Sequence, residues 1–348
     1  MKVTVFSANQ LPEELLTRWA EIQQKHPDLG SPFFCPGFTQ AVAAVRNDAQ
    51  VAVINGGEAF FPFQRSSLGF GRPIGGAVSD YHGLIAPPGK RYDLVTLMRA
   101  CKLLNWDFDH VPASQEDFSP WQTIEAKSYI LDISSDQQVV SKETRSRYSS
   151  KLRKLERDFG EIEFEMECND PEIVRLCLSL KSSQYRRSGV IDLFSMPWAQ
   201  ALAETIAAKQ EPSFAGVTSV LRAGRRPVAI HFGMRSKTTW HYWFPAYDIE
   251  FGRYSPGMLL LLKMISRAPE MNIKAIDFGK GDTDYKRQLS NRTVPLIEGS
   301  AAISRSLVAL RQSQRDLTEW VRRAPFVQMI PARLRKVAWR AQEWARFR

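Results

Sequence analysis

Three groups of residues in this chain have the types and spacing to do chemistry. His231 stands in the apolar segment VAIHFGM and His241 in WHYWF, the next such segment. An uncharged imidazole can take a proton from an ammonium or hydroxyl nucleophile near neutral pH. Strand alternation puts His231 on a face with Gly233 and Arg235, and His241 on one with Trp243. His231 is favoured as the base because the small Gly233 leaves room for a ligand beside it; the competing reading of either histidine is a satisfied core or surface residue. In DFGKGDTDYKRQL, Gly279 and Gly281 permit a sharp turn, and Asp282, Tyr285 and Lys286 follow at a helix start, where α/β sheets bind ligands. Lys286 can hold an anionic group or polarise a carbonyl; otherwise the cluster is a polar helix start capped by Asp282. In FGRYSPGMLLL, the run Arg253, Tyr254, Ser255, Pro256, Gly257 and Met258 opens an apolar helix whose free N–H groups make an anion site. Ser followed by Pro is also simply a good helix start. A fourth cluster, Asp80, Tyr81 and His82 in SDYHG, either reaches an acceptor across a crevice or is an ordinary turn.

Such groups need strands and helices to position them. Hydrophobic periodicity predicts a strand over 2–6, helices over 11–24 and 38–45, a hairpin of 51–54 with 59–63, a Gly/Pro-rich stretch over 69–88, a helix over 94–104 and a strand over 106–111. A charged helix over 142–159, with seven basic and three acidic residues, reads as a connector. A second series follows: strand 162–167, helices 171–186 and 197–209, strands 216–222, 227–235 and 239–246, helix 257–267, strand 274–278, short helix 282–289 and strand 294–303. Both series begin with a strand, two helices and a hairpin, without residue-level similarity.

The chain has 348 residues, 44% hydrophobic and 24% charged, which implies two domains and excludes disorder and collagen-like repeats. Its net charge is +10, and residues 304–348 hold 11 Lys+Arg against 3 Asp+Glu, so the body is close to neutral and DNA is not the expected partner. The segment 333–348 is patterned as an amphipathic basic helix, with Trp339, Trp344 and Phe347 suited to an anionic bilayer or to packing on the body of the chain. Cys35, Cys101, Cys168 and Cys177 show no metal-binding spacing and read as buried reduced thiols. Neither a leader pattern nor a run of 18 apolar residues occurs, giving the expectation of a cytoplasmic protein, peripheral at the inner membrane face. GxSxG, HExxH, P-loop and dinucleotide fingerprints are missing, so serine hydrolase, zinc protease, nucleotidase and Rossmann dehydrogenase are unsupported.

The ordered run VLRAGRRPVAIHFGMR, HYWFPAYD, RYSPGMLLL and IDFGKGDTDYKRQL resembles the GNAT domain of the CelD/BcsL family of acetyltransferases associated with cellulose and exopolysaccharide biosynthesis. PFQR, GRPIGGAVSDYHGLIA and FDHVP extend the resemblance over residues 30–300, and FemAB-like transferases are similar more distantly. It implies an α/β (α+β) fold of two tandem GNAT-like halves: a degenerate half 1–141, the connector 142–160, an acyltransferase domain 161–303 and the basic tail 304–348. It further implies acetyl-CoA or another acyl-CoA as co-substrate, with its pyrophosphate at residues 253–258 and no metal. Tyr285 then protonates the departing thiolate, His231 or His241 is the base, and Asp80, Tyr81, His82, His241 and Asp282 face a sugar or polysaccharide precursor. Polysaccharide synthesis proteins or an anionic membrane would meet the tail. The usual R/Q-x-x-G-x-G/A phosphate loop is replaced by Ser-Pro-Gly. Two alternatives keep the fold: an aminoacyl-tRNA donor, as in FemAB-like peptidoglycan transferases, favoured by the altered loop and the basic connector, and a non-catalytic component of a synthesis complex.

Overall fold

The computed structural model describes residues 1–134, 140–304 and 313. The first series is β1 (Val3–Ser7), α1 (Glu13–Lys25), α2 (Pro36–Val45), β2 (Ala49–Ile54), β3 (Ala59–Arg65), β4 (Phe70–Pro73), α3 (Leu94–Ala100), β5 (Asn105–Pro112) and β6 (Gln122–Asp132). After α4 (Lys142–Phe159) come β7 (Ile162–Glu165), α5 (Pro171–Ser188), α6 (Pro197–Ala207), β8 (Gln210–Glu211), β9 (Phe214–Ala223), β10 (Arg226–Ser236), β11 (Thr239–Tyr247), α7 (Pro256–Arg267), β12 (Ala275–Lys280), α8 (Asp284–Leu289) and β13 (Arg292–Ala302). The termini of these helices follow from local chemistry. Asp170 accepts the Glu172 N–H to start α5, and Gly189 ends it in the left-handed region at φ 74°.

All strands join one sheet in the order β1-β2-β3-β4-β5-β13-β6-β12-β11-β10-β9-β7, with β8 on β9. Two pairs are parallel, β4 with β5 and β11 with β12, each closed by a crossover helix, α3 or α7. The order reads the same from either end once β1 is matched to β7, β2 to β9, β3 to β10, β4 to β11, β5 to β12 and β13 to β6. The two series are therefore structural counterparts, each lending its last strand to the other: β13 pairs with β5, while β6 pairs with β12.

Strand β6 is the chief departure from the sequence pattern, which predicts no element over 113–141. Its first half, Gln122 to Ala126, is polar and mostly exposed; only Ser128 to Leu131 are buried in an unbroken run, so neither alternation nor a long apolar stretch announces it. The helix expected over 94–104 stops at Ala100, where Cys101 closes it and Lys102 turns left-handed at φ 55°. The connector helix is part of the second half, since Leu155 is buried among residues of α7 and β9, with Leu152 and Phe159 beside it. Two larger clusters lie on the α5/α6 and α7 sides, and a third fills the first half around Trp106 and Phe118. All four cysteines are buried free thiols. Among the described residues no helix is long and apolar enough to cross a membrane, and the tail helix expected over 333–348 lies outside them.

Candidate active site

Strands β11 and β12 pair only through Thr239↔Ala275, Trp240↔Ile276 and His241↔Asp277, and then diverge. His241 and Asp277 thus sit at the apex of a fork in the sheet, both almost fully buried. A buried charge or polar ring requires partners. Asp80, from the loop after β4 in the first half, places its Oδ2 2.9 Å from His241 Nε2. On the other side of the ring, Asp277 Oδ1 lies 3.9 Å from Nδ1 and accepts hydrogen bonds from Ser128 Oγ and the Gly279 N–H, each at 2.7 Å. Gly279, at φ 74°, passes so close that a Cβ there would stand 3.1 Å from Asp80 Oδ2. Burial alone would raise the Asp80 carboxyl, but the bonded His241 ring, with His110 and Lys286 near, holds it below the usual carboxylate range.

A β-bulge beside the apex aims the next side chains. Phe232 pairs with Phe244 but Met234 with His241, so Tyr242 and Trp243 together oppose Gly233. The Trp243 N–H donates to His231 Nε2 at 3.3 Å, and the His231 ring stacks on Tyr242 at 4.5 Å. The room beside Gly233 is filled by that ring: a Cβ on Gly233 would be 2.6 Å from His231 Cε1 and 2.3 Å from the His241 carbonyl oxygen. His231 is wholly buried, and burial, reinforced by His241 and Lys181, keeps its pKa well below the ordinary value. It is a neutral ring holding the bulge.

The bulge also divides the sheet into two faces. Tyr242 and Tyr285 belong to the α7 side, whereas Trp243 and Phe244 pack towards α5. On the α5 side a cleft of about 460 Å³ opens between the halves, lined from the first half by Ala77, Val78, Asp80 and Asp109 and from the second by residues that include Tyr185, Ile191, Leu193 and Trp243. On the α7 side, Tyr285 packs edge-on against Phe278 of β12, and burial raises its phenol to about 12. Lys286 is buried, its Nζ donating to the Gly279 and Lys280 carbonyls at 3.2 and 2.7 Å, and burial lowers its pKa against the pull of Asp80 and Asp277.

Residues 253–258 form the entry to α7, the helix that crosses between the forked strands. Ser255 is left-handed at φ 55° and its side chain does not cap the helix; its Oγ accepts from Lys151 Nζ of α4 at 2.5 Å. Arg253 is exposed, Tyr254 is buried with its hydroxyl 2.6 Å from Asp158, Pro256 starts the helix, Gly257 has open space at its Cβ apart from Tyr247, and Met258 is half-buried.

The other expected site residues are placed differently. Asp282 is exposed and accepts from Tyr129 and Arg287, and α8 begins only at Asp284. Tyr81 is buried against Phe34. His82 is fully buried, its Nε2 accepting the Asp109 and His110 N–H groups at 3.1 and 3.0 Å; burial holds it neutral, with a pKa of about 3. His82, Asp109 and His110 bring ligand-type atoms within 4.8 Å of one another, yet this use of His82 Nε2 already spends one lone pair on the backbone. Four residues at the fork and cleft escaped the sequence reading: Asp277, Ser128, Asp109 and His110. Asp277 is an acidic residue between apolar neighbours in β12, and that polarity is the signal it carried, whereas Asp109 shares β5 with Asn105, Asp107 and His110 and does not stand out there.

Residues 142–287 match the family model described as an acetyltransferase (GNAT) domain. The chain contains a GNAT acetyltransferase-fold domain. The matched span holds β11, the β11/β12 fork and α7. Two solved structures are similar across most of the chain. One is the C-terminal (DUF2156) domain of a putative lysylphosphatidylglycerol synthetase from Agrobacterium fabrum: 12% identity, 88% of this chain and 96% of that one, TM-score 0.56. The other is FemX: 10% identity, 86% and 96%, TM-score 0.58. At such identities the likeness is one of GNAT-type fold. No curated protein matches the sequence.

Proposed function

We propose that this GNAT-fold protein is an acyltransferase that passes an acyl group through the β11/β12 fork, from a donor bound at the start of α7 to an acceptor in the cleft between the halves. The observation that carries this reading is the Asp80–His241 pair at the apex, supplied by different halves and lying between the two sites. The acceptor nitrogen or oxygen bonds to the acyl carbon and yields its proton to Asp80, which His241 steadies. The carbon–sulfur bond of an acyl-CoA breaks, and the sulfur leaves with the electron pair and takes the proton of Tyr285. Burial keeps that phenol protonated until the thiolate forms. The base is thus assigned to Asp80 rather than His231, because Asp80 lines the cleft while the His231 ring is enclosed.

The CelD/BcsL-like sequence favours acetyl-CoA or another acyl-CoA as donor and a sugar or cell-envelope precursor as acceptor, with the basic segment 304–348 available to an anionic membrane or a synthesis partner. Donor binding is directly testable. CoA or acetyl-CoA should raise the melting temperature, and Gly257→Glu should abolish the rise by repelling phosphate, while the open space at Gly257 lets the variant fold normally. Tyr285→Phe should lower kcat about 10- to 100-fold with donor affinity unchanged, because only the proton for the leaving group is lost. An unaltered kcat in a steady-state assay would remove Tyr285 from the reaction.

One observation favours a second donor. Lys151, contacting Ser255, belongs to a strongly basic helix, so positive charge continues from the α7 entry along α4. This suits an aminoacyl-tRNA as well as a nucleotide thioester, and the FemX-like fold is compatible with it. A melting shift with aminoacyl-tRNA and none with CoA would establish that donor instead.

A further inference from the structure

The second half brings a cation to the edge of the cleft. Lys181 of α5 stands one turn before Tyr185, and its ammonium lies 5.3 Å from the centre of the Tyr185 ring, which lines the cleft. Its Nζ donates to the Pro245 carbonyl of β11 at 3.2 Å, next to the cleft residues Trp243 and Phe244. An ammonium has three donors, and this contact uses one. Among the described residues the ionisable neighbours of Lys181 are the Cys177 thiol, the His231 ring and the Lys286 ammonium, and none of them is a carboxylate. Asp80 and Asp109 line the cleft from the first half and are held by His241 and His110. Burial lowers the Lys181 pKa, the expected effect on a cation set among apolar groups without a counter-charge. The place of this cation bears on the reaction. Beyond His241 strand β11 no longer pairs with β12, and Trp243 lies midway between His241 and Pro245, about 7 Å of strand from each. Lys181 thus touches the stretch of β11 that the fork leaves open.

We propose that Lys181 selects the acyl group: it pairs with a carboxylate at the far end of the transferred chain, so that the donor is the thioester of a dicarboxylic acid. With the thioester carbon in the fork at the level of Trp243, a succinyl or glutaryl chain spans the remaining strand length, and its terminal carboxylate takes the two N–H groups of Lys181 that Pro245 does not use. A neutral acyl chain of the same length would close the site over the ammonium and leave it without a counter-charge, which costs affinity. This inference rests on the reading of the fork as the acyl-CoA site, but the binding it asserts needs neither acceptor nor turnover.

Two stable thioethers of CoA serve as probes for calorimetric titration into the full chain: carboxypropyl-CoA, which ends in a carboxylate, and its neutral isostere carbamoylpropyl-CoA. The acid should bind at least about tenfold more tightly than the amide. Lys181→Met keeps the length of the side chain and removes its charge; it should bring the two dissociation constants together without weakening the amide, whose unchanged binding also shows that the variant is folded. Lys181→Arg should keep most of the preference. Equal binding of both thioethers by the unaltered protein, or a preference that survives Lys181→Met, would overturn the proposal. A melting shift with CoA itself, measured alongside, keeps the two readings apart. A CoA shift with no preference for the acid sinks only the acyl class, whereas no CoA shift and no binding of either thioether sinks the acyl-CoA reading and this inference with it.

Discussion

Asp80→Asn should reduce kcat for acyl transfer by about 10²- to 10⁴-fold with little change in donor affinity. The amide can still sit beside His241 but cannot take a proton, and nothing in the α7 entry is touched by the change. Donor release assayed at saturating acetyl-CoA measures the rate, and the CoA melting shift measures the donor site in the same variant; a rate within threefold of the unaltered protein would exclude Asp80 as the base. The carboxylate has a stability signature too. Its folded pKa lies below the unfolded value, so its contribution is fully present above about pH 4 and is lost as pH falls through the folded value. Denaturant midpoints measured down the acid side should therefore fall less steeply in the Asn variant.

Gly233→Ala should cost about 2–4 kcal/mol of folding stability and disable the fork as well. The added methyl would meet the His241 carbonyl oxygen at 2.3 Å and the His231 ring at under 3 Å, and the first of these is backbone on the neighbouring strand. Relief requires moving either the bulge or the residue that holds Asp80. Urea unfolding reads the stability loss, and residual kcat in the remaining folded protein reads the displacement of His241. A fully stable Gly233→Ala protein would mean that the bulge gives way easily and that His231 does not define it.

Much of this architecture was legible in the sequence because its second series is built of long, strongly patterned strands. The segments VAIHFGM and HYWFPAYD fall on β10 and β11, and FGRYSPGMLLL opens α7 where apolar spacing predicts it. What remained hidden depends on pairing across the chain. Nothing in SDYHG says that Asp80, rather than Tyr81 or His82, reaches His241 across 161 positions of sequence. Gly233 was read as leaving room for a ligand beside His231, whereas the register of β10 against β11 shows that the imidazole itself fills that space. The carboxylates of β5 and β12 drew no reading from the sequence pattern. They became a site once the fold put them on the fork and the cleft.

The exchange of β6 and β13 has a consequence for synthesis of the protein on the ribosome. Asn105 and Ser300, neighbours across the β5–β13 pair, are 195 residues apart in the chain. At about 5–20 residues per second, β5 waits roughly ten seconds or more for its partner, and through that interval the first half exposes a strand edge beside its aromatic core. Domains usually fold in the order they emerge, and here the first cannot close before the second is nearly complete. Open edges of this kind recruit other strands, so the nascent chain is most exposed to misassembly, and most in need of a holding chaperone, just before translation reaches β13.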